Sequence, residues 1–206
     1  MQFNAASQPW DKVMQAMSLR HQGTEAEDHA NQYEARLARA VSGCNHARAA
    51  LLREIEDPCF RFCLAQLACQ DAARDATQET ALRVLRSLRR YRGDAAFTTW
   101  ALSIALNVCR EHRRRRRWLA LPVNWTTADP SPSPSEQAGN TERQSQLMVL
   151  LGKLPPRQRE AVTLRYLHGL DTRQTAQAMR CAEGTVKATL AKALTAMRQQ
   201  WGDTDD

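Results

Sequence analysis

At 206 residues, with 29 Lys and Arg against 22 Asp and Glu, the chain carries a formal net charge of +7. It is long enough for one large or two small domains, and its charge favours a polyanionic partner, either nucleic acid or an anionic membrane face. No apolar run approaches the roughly 20 residues that cross a bilayer, and the start lacks the basic-then-apolar order of a secretory signal, so a cytoplasmic protein without membrane insertion is expected.

Residues 1–32 are polar and without sustained periodicity, which predicts a flexible tail. A short helix near Trp10 to Leu19 is conceivable there, with Met14 and Met17 as alternative starts. From Tyr33 the pattern turns helical: Leu37, Ala40 and Val41 form a stripe that stops at Gly43, and Ala47, Leu51 and Ile55 begin a second helix. Asp57-Pro58 then either starts a new helix over Cys59 to Cys69 or kinks the old one. Six cysteines stand at positions 44, 59, 63, 69, 109 and 181 without CxxC pairs, which indicates neither a disulfide framework nor a zinc ribbon. Cys59 and Cys63 share a helical face, with Cys69 and His112 as conceivable further ligands of a metal or redox sensor; buried reduced thiols are the reading preferred.

Between Ala72 and Arg90 the spacing turns Ala81, Leu82, Leu85 and Leu88 inward and leaves Asp75, Gln78, Glu79, Arg83 and Arg86 on polar faces. Arg92-Gly93-Asp94 breaks that helix. Phe97, Trp100, Ala101, Ile104 and Val108 then recur at spacings of 3 and 4 in the most amphipathic helix of the chain, which runs into five arginines at 113–117. Asp129 to Ser135, alternating Pro and Ser, resists helix and sheet and reads as an extended linker. Helices resume with Leu147, Val149, Leu150 and Leu151, pause at Pro155-Pro156, and continue through Ala161, Val162, Leu164 and Leu167 to Gly169.

Asp171 to Met197 reads as a helix-turn-helix. Ala176 and Met179 supply the inner side of a short first helix, and Arg180 to Glu183 has the length of the turn. In the second helix Val186, Leu190, Leu194 and Met197 form a buried stripe, which leaves Lys187, Ala188, Ala191, Lys192 and Thr195 free. An ordinary helical hairpin is the competing reading of this segment alone. The fold expected is all-α, with two small helical domains: a tail over 1–32, a first domain over 33–117, a linker over 118–140, a second domain over 141–200 and a short tail over 201–206.

Two blocks, in order, resemble one family. Asp75-Ala76-Thr77-Gln78-Glu79-Thr80, Tyr91-Arg92-Gly93-Asp94-Ala95-Ala96-Phe97-Thr98-Thr99-Trp100 and Ile104-Ala105-Leu106-Asn107 with the arginine run resemble region two of bacterial extracytoplasmic-function sigma factors. Leu154-Pro155-Pro156-Arg157-Gln158-Arg159-Glu160, Leu164 to Leu170 and Glu183-Gly184-Thr185-Val186-Lys187 resemble region four. The resemblance implies recognition rather than catalysis: binding of core RNA polymerase, selection and opening of promoter DNA, and restraint by an anti-sigma factor, with no catalytic residue, cofactor or metal.

By that resemblance Asp75, Gln78 and Glu79 face the polymerase, and carboxylates on an exposed helix suit an Arg-rich partner. Tyr91, Arg92 and Asn107 would hold a flipped base of the minus-ten element, since a ring can stack and an amide both donates and accepts. The competing reading makes Tyr91 and Asn107 groups satisfied within the core. Arg110, Arg113 and Arg114 would follow the phosphate backbone, or else form a solvated helix end. In region four Glu183, Thr185, Lys187, Thr189 and Lys192 would meet the minus-thirty-five element in the major groove. The family usually has an acidic residue and an aromatic one where this chain has Arg74 and Ala81, and commonly Ser and Arg where it has Ala188 and Thr189. The latter leaves fewer direct base contacts and more weight on DNA shape.

Two rivals belong to other classes. A dimeric operator-binding regulator would need a dimerisation helix or ligand pocket, neither of which the sequence suggests. A hydrolase or nuclease would need clustered ligands, whereas His21, His29, His46, His112 and His168 are dispersed.

Overall fold

The computed structural model describes residues 26–118 and 147–202. The described residues are helical, with no strand among them: α1 (Ala26–Val41), α2 (Asn45–Leu67), α3 (Gln70–Ser87) with a 3-10 turn (Leu88–Arg90), α4 (Phe97–Trp118), α5 (147–153), α6 (Pro156–Val162) widening into a π-helical turn (Thr163–Leu167), α7 (Thr172–Met179) and α8 (Glu183–Gly202). The expected helix near Trp10 and the Pro/Ser stretch lie outside the described residues. α1 begins within the segment expected to be a tail.

Pro58 does not restart the helix. α2 runs unbroken from Asn45 to Leu67 with Pro58 inside it. A proline there removes one backbone hydrogen bond, but Leu51, Ile55, Cys59 and Phe62, each no more than 2% exposed, keep one face buried on both sides of it. Arg61 also pairs with Asp57 across the same turn. The helix stops at Ala68, which takes a left-handed conformation at φ 49° while its N–H bonds to the Leu64 carbonyl at 2.9 Å.

α2, α3 and α4 pack on one another, and α1 lies on α2. α3 is rotated from its expected setting. Leu82 is 53% exposed, and Ala73, Ala76, Thr80 and Val84 face inward instead. Small residues let α3 approach α2 closely, and the Thr80 hydroxyl donates to the Ala76 carbonyl at 2.7 Å, so its burial leaves no unmet polar group. Phe97, Ala101, Leu102, Ala105, Leu106 and Val108 give α4 a buried side, as the periodicity predicts.

In the second half α6 and α7 both pack on α8. Arg159, 4% exposed, ties the segment together: its guanidinium donates to the carbonyls of Leu151, Gly152 and Leu154 at 2.7–3.0 Å. Burial and the neighbouring Arg113 bring the Arg159 pKa down to about 10, with Glu160 opposing. The two halves do not stand apart. α7 packs on α4, α6 touches α2, and the Phe62 ring lies 5.8 Å from the His168 ring, so the buried residues form one continuous cluster.

Candidate nucleic-acid interface

α7 and α8 form the helix-turn-helix. Asp171 caps α7: its carboxylate accepts from the Gln174 N–H at 2.7 Å, while the Gln174 side chain accepts from the Asp171 N–H at 2.9 Å. Thr175, Ala176, Ala178 and Met179 are buried. Arg180 ends the helix in a left-handed conformation at φ 55°, which turns the chain sharply into α8.

On α8 Val186, Leu190 and Ala193 are buried, with Leu194 and Met197 half-buried beside them. This fixes the rotation of the helix and leaves Glu183, Thr185, Lys187, Ala188, Ala191, Lys192 and Thr195 exposed. The Thr189 hydroxyl donates to the Thr185 carbonyl at 2.7 Å, one turn back. The outer face thus carries two ammonium groups, from Lys187 and Lys192, on a surface otherwise small enough for close approach to a groove.

The loop between the 3-10 turn and α4 builds a second feature. Gly93 sits at φ +79°, a left-handed value that glycine adopts without penalty. The Tyr91 ring meets Phe97 edge-on at 5.5 Å and leans on Trp100 at 5.2 Å, and its hydroxyl donates to the Ala95 carbonyl at 2.6 Å. Burial raises the Tyr91 pKa, with Glu54 and Asp94 adding to it. A concavity of about 300 Å³ opens beside these rings, lined by Tyr91, Arg92, Trp100 and Ser103 among others, with Gln177 and Ala178 of α7 also in its lining. Asn107 is not part of its lining; its amide nitrogen donates to the Ser103 carbonyl at 3.0 Å. Trp100, read from the sequence as core, lines the concavity because it sits one turn into α4 beside Phe97. Its spacing from Phe97 marks a shared face but cannot tell core from rim.

The arginine run divides. Arg114 is exposed, whereas Arg110 and Arg113 are held by Glu160 of α6 at 2.6 and 2.5 Å. The acidic face of α3 divides too. Asp75 and Gln78 are exposed, while Glu79 accepts from Arg83 at 2.5 Å and lies 3.1 Å from the His112 ring nitrogen. Burial raises the Glu79 pKa, but its bonds to His112 and Arg83 outweigh that and hold it below the ordinary carboxylate value. Cys63 lies 3.6 Å from Cys109 rather than beside Cys69 or His112, and no cluster among the described residues has the donors to hold a metal ion.

An all-helical chain with an exposed, basic second helix of a helix-turn-helix and a ring-lined hollow beside an arginine-rich helix is built to handle nucleic acid. Family models described as sigma-70 region 2 and sigma-70 region 4 match residues 51–119 and 144–197. The chain is 31% identical to the RNA polymerase sigma-H factor of Pseudomonas aeruginosa, over 59% of this chain and 68% of that one. It is 28% identical to a probable RNA polymerase sigma factor, RfaY, of Xanthomonas campestris, over 80% of this chain but only 42% of that protein, so it spans less than half of that relative's length. Its fold is similar to that of the sigma factor RpoE of Bartonella quintana in complex with the anti-sigma factor NepR, with a TM-score of 0.61 and 20% identity over 72% of this chain and 92% of that one. The chain belongs to the extracytoplasmic-function RNA polymerase sigma factors.

Proposed function

We propose that this chain binds core RNA polymerase, directs it to promoters carrying paired minus-ten and minus-thirty-five elements, and helps open the duplex, all without catalysis of its own. The observation that carries this reading is the ordered pair of family matches, region two before region four, with Lys187 and Lys192 on the outer face of the second helix of the helix-turn-helix. Residues 33–117 and 141–200 serve as the two working modules and 118–140 as the tether between them.

Within that reading Asp75, Gln78 and Glu79 dock on the polymerase; Glu79, already tied to Arg83 and His112, acts through the shape of the face it stabilises. Tyr91 and Arg92 bound the minus-ten pocket together with Trp100, and Asn107 holds the α4 backbone one turn away. Arg110, Arg113 and Arg114 meet phosphates. Glu183, Thr185, Lys187, Thr189 and Lys192 address the minus-thirty-five major groove. An anti-sigma factor is the natural restraint, by analogy with the fold relative bound to one. The work takes place in the cytoplasm, and no helix among the described residues is long and apolar enough to cross a membrane.

Run-off transcription with core polymerase on a library of promoters tests the reading. Initiation that depends on the added chain is expected, from templates sharing two spaced elements. A folded chain that directs no initiation with active core overturns it.

A further inference from the structure

Part of the surface given above to the minus-ten region is already occupied, and by this chain itself. Glu160, 2% exposed as a side chain, accepts from Arg110 at 2.6 and 3.1 Å and from Arg113 at 2.5 Å. Arg113 also donates to the Gln66 side-chain carbonyl at 2.9 Å, and the Gln66 amide donates to the Thr163 hydroxyl at 3.1 Å. Gln66 and Thr163 are themselves buried, at 1% and 0% exposure. The Glu160 and Thr163 contacts join the first half of the chain to the second, and the Arg113–Gln66 bond ties α4 to α2 beneath them.

A second contact lies elsewhere on the same side. α7 packs on α4, and its Gln177 and Ala178 form part of the lining of the hollow beside Tyr91 and Trp100. A base held in that hollow would share it with α7. The chemistry of the Glu160 site points the same way, because an oxyanion bridging two guanidiniums stands where a backbone phosphate would stand. Glu160 and DNA cannot hold Arg110 and Arg113 together.

We propose that Glu160 acts as an internal phosphate mimic which, with α7, latches region four over the minus-ten surface of region two and keeps the free chain closed to single-stranded DNA. This rests on the sigma-factor reading for the role of that surface. The latch is built to open. Desolvating three charged groups offsets much of their attraction, so a buried ion pair contributes less net stability than its short distances suggest, and opening restores full hydration to all three. A partner that competes for Arg110 and Arg113, or that draws α7 away, shifts the balance.

The full-length chain alone tests this, by small-angle scattering and by its affinity for a fluorescent single-stranded DNA of random sequence. The natural chain is expected to be compact. Glu160→Gln, which keeps the volume and removes the charge, is expected to expand it and to tighten DNA binding about tenfold, as the open fraction rises. Glu56→Gln, at an exposed carboxylate of α2, removes the same charge and is expected to change neither reading. Circular dichroism shows whether each variant folds. Should Glu160→Gln unfold, Thr163→Val decides: expansion supports the latch and retained compactness overturns it. A natural chain already extended, a folded Glu160→Gln chain that stays compact, or an affinity gain matched by Glu56→Gln each overturns the proposal. Run-off transcription separates the two claims, because normal initiation by a chain that fails the scattering test leaves the sigma reading standing and the latch refuted.

Discussion

Arg83 on α3 and Glu111 on α4 are joined by two hydrogen bonds, at 2.8 and 2.6 Å, and the same guanidinium holds Glu79 at 2.5 Å. One arginine therefore fixes the spacing of two helices at the end where the arginine run begins. Its hydrogen bonds hold the Glu111 carboxyl below its ordinary value of 4.5. A carboxyl so depressed binds fewer protons in the native state than in the unfolded chain, so the stability it contributes is present above about pH 4.5 and is lost as pH falls through the lowered native value. Replacing Arg83 by Met is expected to destabilise the chain by about 1 kcal/mol at neutral pH, a figure kept small by solvent screening at groups still nearly a third exposed. Chemical denaturation between pH 3 and pH 7 checks this: the Arg83→Met chain should show a flatter dependence on pH over roughly that range than the natural one. Equal slopes would mean that the pair carries no linkage.

The capping box at Asp171 and Gln174 satisfies two N–H groups that α7 would otherwise leave open. Asp171→Ala is expected to cost about 1 kcal/mol. Thermal melting reads the loss directly, and Asp171→Asn, which keeps an acceptor oxygen, should restore most of it. A melting temperature unchanged by the alanine variant would show that α7 is held by packing alone.

Thiol alkylation should separate the cysteines into two groups. Cys59, Cys63 and Cys109 are buried, and Cys44, Cys69 and Cys181 are half-buried. Burial pushes the Cys59 thiol above its ordinary range, with Cys63 adding to it. Cys44 stands at the N-terminus of α2, where the Ala47 N–H lowers its pKa. Mass spectrometry after brief iodoacetamide treatment of the native chain should find Cys44 modified first and Cys59, Cys63 and Cys109 only after denaturation. Early labelling of Cys109 would contradict the packing of α2 on α4.

Lys187 and Lys192 are both exposed on α8 but, five residues apart, stand about 140° from one another round the helix, so they reach different parts of a groove. Lys187→Ala is expected to weaken promoter binding by about 1–3 kcal/mol if its ammonium meets a base edge, and to relax the preference at one position. Lys192→Ala, if its ammonium meets a phosphate at the edge of that groove, should weaken all sequences alike and lower the salt dependence by about one counterion. Binding measured across a set of minus-thirty-five variants at two salt concentrations distinguishes these. A Lys187→Ala chain with unchanged affinity and preference removes that residue from the interface.

The long helices with strong apolar periodicity were legible from the residues alone. Phe97, Ala101 and Val108 mark the buried side of α4, and Val186 and Leu190 that of α8, because large apolar groups at 3.6-residue spacing leave one packing solution. α3 was misjudged for a physical reason. Leu82 looks like core and is half exposed, while Ala76 and Thr80 are buried because close helix approach selects small side chains over large ones. Pro58 leaves two readings open, and a burial stripe on both sides of it, which outweighs one missing hydrogen bond, decides for the continuous helix. The seam between the halves could not be read. Glu160 stands 50 residues from Arg110, all the groups involved are polar, and nothing in local periodicity pairs a carboxylate with one guanidinium of a long run rather than another.

Arg159 and Glu160 are neighbours in sequence with different partners: the guanidinium fastens the carbonyls of Leu151, Gly152 and Leu154 and reaches the Gln66 carbonyl of α2 at 3.1 Å, while the carboxylate reaches across to the guanidiniums of α4. A slip of one residue in α6 would bring guanidinium to guanidinium and strand a carboxylate among carbonyl oxygens. The frame must therefore be set before the helix is a turn long. Pro155 and Pro156 do this at its entrance, since Pro156 opens α6 with its backbone angle already helical and gives the winding a single place to begin. Inserting one residue between Pro156 and Arg159 should thus be more damaging than inserting one in the turn before Thr172.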